Sequence, residues 1–407
     1  MISLTFEGIP HPIIVPECPE LSALLERHFA HWPFTPAAGP SASTPLLSVT
    51  RTGCAYHIMY GQEGKTACHK TAACFLCDLG IDLAEAATRA AHPLLCLHCS
   101  AVAVKGNLLV FPNTNRSGKS LLAACLLRHG GKLFADDLLG VTGDGQGKSF
   151  GLPLRLRLPL PPVSTGLKEY VAASPGLADS HYRFLYPDRS NMASFGEQLP
   201  IGAFIIPKRK RGGGVTLERL PEDHALHQIM YQFQMPPGGA QTIFARSTHL
   251  AGNCPAWELG YSSAEEAVGI LLQASTLKPL FMEDTSNTLP AASISPSDKK
   301  KAASPPGKRR RKSCKNTAVY SRRNSVTVHM AGNNAYLIPE EQDRIVYLNP
   351  TAFAVWQLLE DPLSEAEATL LLASIYPHIA PAELERDIAA LFASLRDENL
   401  IAKPASI

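Results

Sequence analysis

The sequence has no run of eighteen apolar residues, and its opening, MISLTFEGIP, has neither a basic start nor a long apolar segment. Neither a membrane-spanning helix nor a signal peptide is therefore expected, and the chain reads as cytoplasmic. It also has little net charge: 18% of residues are charged and the balance is +2. The balance hides an asymmetry, because Lys299–Arg323 holds eleven basic residues while the remainder is acidic overall. Basicity is thus a property of one segment rather than of the whole. The cysteines lack the setting of a metal knuckle. Cys74/Cys77 and Cys96/Cys99 form two C-x2-C pairs eighteen residues apart, a zinc-ribbon spacing. Both pairs lie in apolar, strand-like sequence without a Gly-rich turn, and i and i+3 of a strand face opposite ways. Buried reduced thiols are the expectation, with zinc as the alternative.

What is present is enough chain for two or three domains: 407 residues, 45% of them hydrophobic. Residues 1–95 read as a mixed scaffold. Strands are expected at 2–6, 46–51, 56–60 and 72–76, helices at 21–31 and 82–91, and a Pro-rich loop at 33–45. Nothing catalytic stands out there.

The chemistry is concentrated between Leu97 and Val141. An apolar run, Asn107–Phe111, meets a polar turn, Pro112–Ser117, that leads into Gly118-Lys119-Ser120 and a helical pattern closed by Gly130-Gly131. A second apolar run, Lys132–Ala135, delivers Asp136 and Asp137. That order suits a phosphate cradle, in which turn amides and the helix N-terminus face anionic oxygens. Gly118 permits close approach, Lys119 reaches the β/γ oxygens and Ser120 sits on a magnesium ion. Asn113, Thr114, Asn115, Arg116, Ser117, Gly118, Lys119 and Ser120 are thus the candidate nucleotide contacts. A Walker motif has glycine where this chain has Asn113, a residue that tolerates positive φ better than most. The plainer alternative is an ordinary strand, turn and helix with a surface lysine.

With His98 on the strand before the turn and Asp136 seventeen residues after Lys119, the segment resembles the core of HPr serine kinase/phosphorylases and their relatives, with Cys99 at the family's glycine. The resemblance implies an α/β fold with an HPr-kinase/PEP-carboxykinase-like P-loop core over residues 96–284, using ATP and Mg2+. It implies Asp136 as the base for a substrate hydroxyl, Ser120 and Asp137 as magnesium ligands, and His98 beside the transferred phosphoryl group. It also admits the reverse phosphorylase reaction and a homo-oligomer. Independently of family, phosphoryl transfer needs little beyond a lysine, a metal and a carboxylate at the nucleophile. A satisfied core histidine is the alternative for His98.

Downstream, GLPLRLRLPLPP alternates so that Arg155 and Arg157 share one strand face. Both are candidate phosphate contacts, Arg157 being assigned to the cofactor, against the alternative of a solvated face. Strands are expected at 182–187, 201–207, 214–220 and 256–259, and helices at 224–233 and 263–275. Residues 285–320, rich in Ser, Pro, Lys and Arg, read as a disordered linker.

Residues 321–407 form a second pattern. Three strands come first, at 325–330, 335–338 and 344–348. Asn349 then caps a helix with Pro350 at its first position. Ser364 and Glu367 make a capping box for a second helix. A third helix has Leu384, Ile388, Leu391, Phe392 and Leu395 at helical spacing. Tyr347-Leu348-Asn349-Pro350-Thr351-Ala352, Trp356 and the closing Glu398-Asn399-Leu400-Ile401 resemble the PqqD family. That implies a small α+β, winged-helix-like domain that binds a precursor or leader peptide as an added strand. The third helix carries Glu383, Glu385 and Asp387, which disfavours nucleic acid. Together the two resemblances predict an ATP-dependent kinase for Ser/Thr of a captured peptide, acting beside other peptide-modifying enzymes. A nucleotide-deficient scaffold or peptide chaperone is the alternative.

Overall fold

The computed structural model describes residues 1–39, 44–61, 64–112, 117–234, 239–276 and 318–403, and the chain divides into Met1–Glu283 and Asp284–Ile407. In the first unit, β1 (Ile2–Phe6), β2 (Ile13–Val15), α1 (Pro19–His28), β3 (Phe34–Ala38), β4 (Leu47–Thr52), β5 (Ala55–Tyr60) and β6 (Thr66–His69) build a six-stranded sheet in the order β3-β1-β2-β4-β5-β6. The sequence suggests a loop where β3 lies. Its Pro36, opposite Leu4, is tolerated because β3 is an edge strand with no ladder on its far side. Residues 72–76, expected as a strand, are instead the start of α2 (Ala72–Ala90). Thr71 caps this helix, its Oγ1 accepting the Cys74 amide at 3.2 Å. Phe75, Leu76, Leu79 and Leu83 recur at helical spacing and are fully buried on the sheet.

Asp82 of α2 accepts the Tyr60 hydroxyl at 2.9 Å. Burial pushes its carboxyl up to about 6 from 3.8, against the lowering effect of that hydrogen bond. A raised carboxyl favours folding in its protonated form, so its contribution is complete below about pH 4 and is lost as pH rises through 6. We therefore expect Asp82→Asn to reduce the fall in stability between pH 4 and 6, read from denaturant midpoints of variant and parent. Parallel curves would contradict this.

The second sheet carries the candidate site residues. Its elements are β7 (Leu95–Val104), β8 (Asn107–Pro112), α3 (Lys119–Arg128), β9 (Lys132–Ala135), β10 (Leu138–Val141) and β11 (Gln146–Lys148). β12 (Leu154–Arg157), α4 (Thr165–Ala173), β13 (Gly176–Ala178) and β14 (Tyr182–Leu185) follow, the three strands forming a separate sheet. Then come β15 (Gln198–Arg209), β16 (Thr216–Arg219), α5 (Glu222–Met230), α6 (Ala240–Asn253), β17 (Ala256–Tyr261) and α7 (Ala264–Thr276). The strand order is β11-β10-β7-β8-β15-β17-β16, and β15 runs parallel to both β8 and β17. β7 has two partners on one side: β10 pairs with Leu95–His98 and β9 with Ala101–Ala103. α3 is buried from Leu121 to Leu127, in one core with Val102, Leu109 and Phe111 of the sheet and Val268 and Leu271 of α7.

The second unit contains β18 (Val319–Arg322), β19 (Val326–Ala331), β20 (Asn334–Pro339), β21 (Val346–Leu348), α8 (Pro350–Leu358), β22 (Leu363–Ser364), α9 (Glu365–Ile375), α10 (Pro381–Asp397) and β23 (Ile401–Ala402). β19-β20-β21 is antiparallel, and β18 joins β22 and β23 in a second small sheet. Asn349 accepts the Ala352 amide at 2.8 Å ahead of Pro350. The Ser364/Glu367 capping box is complete, with Ser364 N donating to Glu367 at 3.0 Å and Glu367 N to Ser364 at 3.2 Å. Trp356, Leu384, Ile388, Phe392 and Leu395 lie in one core. Among the described residues no helix is long and apolar enough to cross a membrane.

Candidate functional site

Three elements place the polar side chains. β7 has period-two alternation, so His98 and Ser100 project from one face while Cys99, fully buried, projects from the other. The chain then leaves β7's partner β9 and joins it again as β10, and between them Asp136 and Asp137 form a bend. Asp137 has φ +71°, a left-handed conformation that sends its carboxylate away from that of Asp136. The third element is the start of α3, where Gly118 caps the helix at φ +85° ahead of Lys119 and Ser120.

Asp136 points inward. It accepts from the Ser100 hydroxyl, from Ser120 Oγ at 2.9 Å and from the Arg155 backbone amide at 2.9 Å. Burial raises its carboxyl, the Asp137 charge raises it further, and Lys119 and the Ser100 hydrogen bond oppose them. Asp137 points toward the opening. Lys119 Nζ lies 2.6 Å and Arg155 Nη2 2.5 Å from its oxygens, and His98 Nε2 is 3.6 Å away. Burial works to raise this carboxyl, but His98, Lys119 and Arg155 hold it well below the usual carboxylate range. The result is one inward carboxyl biased toward its protonated form and one carboxylate biased toward its ionised form by the two cations that clamp it. Arg155 also contacts Cys77 Sγ and stacks over the Tyr182 ring at 4.9 Å. Both Asp136 and Asp137 line a recess that His28, Cys77, Arg155 and Phe184 help to enclose.

Of the residues proposed from sequence, His98, Lys119, Ser120, Asp136 and Asp137 converge here. Ser120 hydrogen-bonds Asp136, whereas the resemblance pairs it with Asp137; the Asp137 backbone conformation is the reason. Asn113, Thr114, Asn115 and Arg116 lie outside the described residues. Ser117 is buried and its Oγ has no partner among the described residues. Arg155 reaches the site, while Arg157, at the end of β12, is exposed. Sequence reasoning missed Ser100, which resembles filler in an apolar strand, and Tyr261. The Tyr261 hydroxyl donates to the Ser117 carbonyl at 2.5 Å and stands 2.4 Å from where a Cβ on residue 118 would be. Gly118→Ala should therefore cost at least about 1 kcal/mol through its left-handed backbone alone. It should also couple to Tyr261→Phe in a double-mutant cycle of unfolding free energies; strict additivity would show that the hydroxyl is not what crowds the Cβ.

The four cysteines at 74, 77, 96 and 99 do not gather. Cys74 and Cys77 lie on α2, Cys96 is buried in the core against that helix, and burial pushes the Cys77 and Cys96 thiols up to about 12.

Residues 335–401 match the family Coenzyme PQQ synthesis protein D (PqqD), so the second unit carries a PqqD domain. Among solved structures the chain is similar to "TbiB1 in Complex with the TbiA(beta) Leader Peptide", at 17% identity over 21% of this chain and 99% of that one, TM-score 0.19. It is also similar to the Hpr(Ser) kinase/phosphatase from Coxiella burnetii, at 10% identity over 45% of this chain and 97% of that one, TM-score 0.24. No curated protein matches.

Proposed function

We propose that the first unit transfers the terminal phosphoryl group of ATP to a Ser or Thr hydroxyl of a ribosomally made peptide that the PqqD domain captures. The observation that carries this is the convergence of Lys119, Arg155 and His98 on Asp137, next to the Ser120–Asp136 pair. Two cations at the mouth of a helix N-terminus suit phosphate, and a hydroxyl with two carboxylates is a hard oxygen set that suits Mg2+. Ser120 and Asp136 would hold that ion, which on binding neutralises phosphate charge.

Lys119 and Arg155 bind the transferred oxygens and stabilise their charge. Asp137, ionised and open to the recess, accepts the hydrogen bond of the acceptor hydroxyl, aligns its oxygen and takes its proton as the P–O bond forms. This exchanges the carboxylate roles that the family resemblance implies, because geometry decides reach before acidity decides strength. His98 helps to hold Asp137.

A PqqD-bound peptide needs only weak recognition by the active site. Residues 285–317 of the expected linker lie outside the described residues, and capture on the same chain in itself raises the peptide's effective concentration at the active site. The test is to incubate the full chain with ATP, Mg2+ and the short peptide encoded beside its gene, and to weigh the peptide. A gain of one phosphate that disappears with Asp137→Asn is expected. No gain, or a gain indifferent to that change, would reject the reading.

A further inference from the structure

Away from this site, at the far end of α3, lies a cluster that the phosphoryl chemistry does not use. Cys125 and His129 are four residues apart, on one face of α3 and its C-cap, and Glu265 approaches them from the first turn of α7. The Cys125 thiol is 3.1 Å and His129 Nε2 3.2 Å from Glu265 Oε2, and the three potential donor atoms lie within 4.8 Å of one another. Among the described residues this is the one group of three His, Cys, Asp or Glu side chains whose potential ligand atoms all come that close together.

The carboxylate is held as a metal ligand's would be. Its other oxygen, Oε1, accepts from Arg128 Nη1 at 2.7 Å and from Ser164 Oγ, the N-cap of α4, at 2.6 Å. Two donors thus fix the orientation of Glu265 and leave Oε2 facing the thiol and imidazole, which is the work of an outer coordination sphere. The sulfur is buried while the His129 side chain is 41% exposed, so a fourth position faces water.

The geometry points to a divalent zinc site formed by Cys125, His129 and Glu265. A sulfur, an imidazole nitrogen and a carboxylate oxygen are the donor types zinc takes, and metal–ligand bonds of about 2.0–2.3 Å in a tetrahedron separate donors by roughly 3.3–3.8 Å. The present 3.1 and 3.2 Å separations need only to open by a few tenths of an ångström. On binding, Cys125 releases its proton to solvent and becomes the thiolate ligand, while Arg128 stays on Oε1 and offsets the carboxylate charge. The ion ties the end of α3 to α7 and, through Ser164, to α4. Since Lys119 begins α3, zinc would steady the helix that carries the phosphate lysine.

The test uses the full chain with Co2+ alone as probe, followed by Zn2+. One equivalent of Co2+ should bind with a thiolate-to-metal charge-transfer band, and Zn2+ should abolish the band and raise the melting temperature. His129→Ala, at a partly exposed position where folding is safe, should weaken Co2+ binding at least about tenfold and remove the zinc-induced melting shift. Cys125→Ala should erase the band, and Cys77→Ala should leave it intact. The site is overturned if no band forms, if the band survives Cys125→Ala, or if His129→Ala changes neither affinity nor shift. If Cys125→Ala does not fold, His129→Ala decides alone.

Discussion

Asp137→Asn is expected to lower phosphoryl transfer by about 10²–10⁴-fold, the usual contribution of a positioned proton acceptor, while leaving nucleotide binding intact or tighter. The two effects separate because Asp137 is the internal anion between Lys119 and Arg155. Removing its charge leaves two cations facing each other at side-chain exposures of 12% and 16%. Breaking a buried pair from one side costs about 3–5 kcal/mol, and water reaching a fifth of the Asp137 side chain reduces this to about 2–3 kcal/mol. A triphosphate supplies the missing negative charge, so the variant's melting temperature should rise more with Mg-ATP than the parent's does. For scale, ligand at a hundred times its dissociation constant stabilises by about 2.7 kcal/mol. Thermal shifts with and without Mg-ATP, read beside kcat and KM, check both halves. A variant with unchanged stability and a raised nucleotide KM would place Asp137 on the metal instead.

Phe392→Ala should unfold most of the second unit and abolish peptide capture. The ring is fully buried on α10, packs edge-on to Tyr320 at 6.1 Å, and shares its core with Trp356 and Leu395. Truncating such a ring costs about 3–5 kcal/mol, most of what a domain of this size has in reserve. Leu391→Ala, one residue away and only partly buried, should cost much less. Denaturant unfolding measures the difference. Phosphorylation of a free acceptor peptide at saturating concentration should survive Phe392→Ala if recognition and chemistry are separate tasks; loss of that reaction would mean that capture does more than tether.

How far these features were legible in the sequence depended on whether local chemistry determined them. Asn349-Pro350 and Ser364/Glu367 announce helix starts through bonds made within four residues, and both form as read. The Gly118-Lys119-Ser120 and Asp136-Asp137 groups were visible because strand, turn and helix signals bracket them. Long-range packing hid the rest. Ala72–Leu76 looks extended until Leu79 and Leu83 are counted into a longer period. Phe34–Ala38 looks like loop because Pro36 is safe only at a sheet's edge, and edges are set by neighbours far along the chain. Which arginine of β12 turns to the carboxylates, and that Ser100 supports Asp136, follow from strand pairings that no local window contains.

The sharing of β7 between β9 and β10 leaves the candidate site with no slack in alignment. A one-residue deletion between Leu95 and His98 would turn His98 and Ser100 to the opposite side of the sheet together, carrying the thiol of Cys99 into their place. Point changes in this strand can be tuned one at a time, but a change in its length removes two supports of the acidic pair at once. Length variation compatible with activity should therefore be confined to the loops.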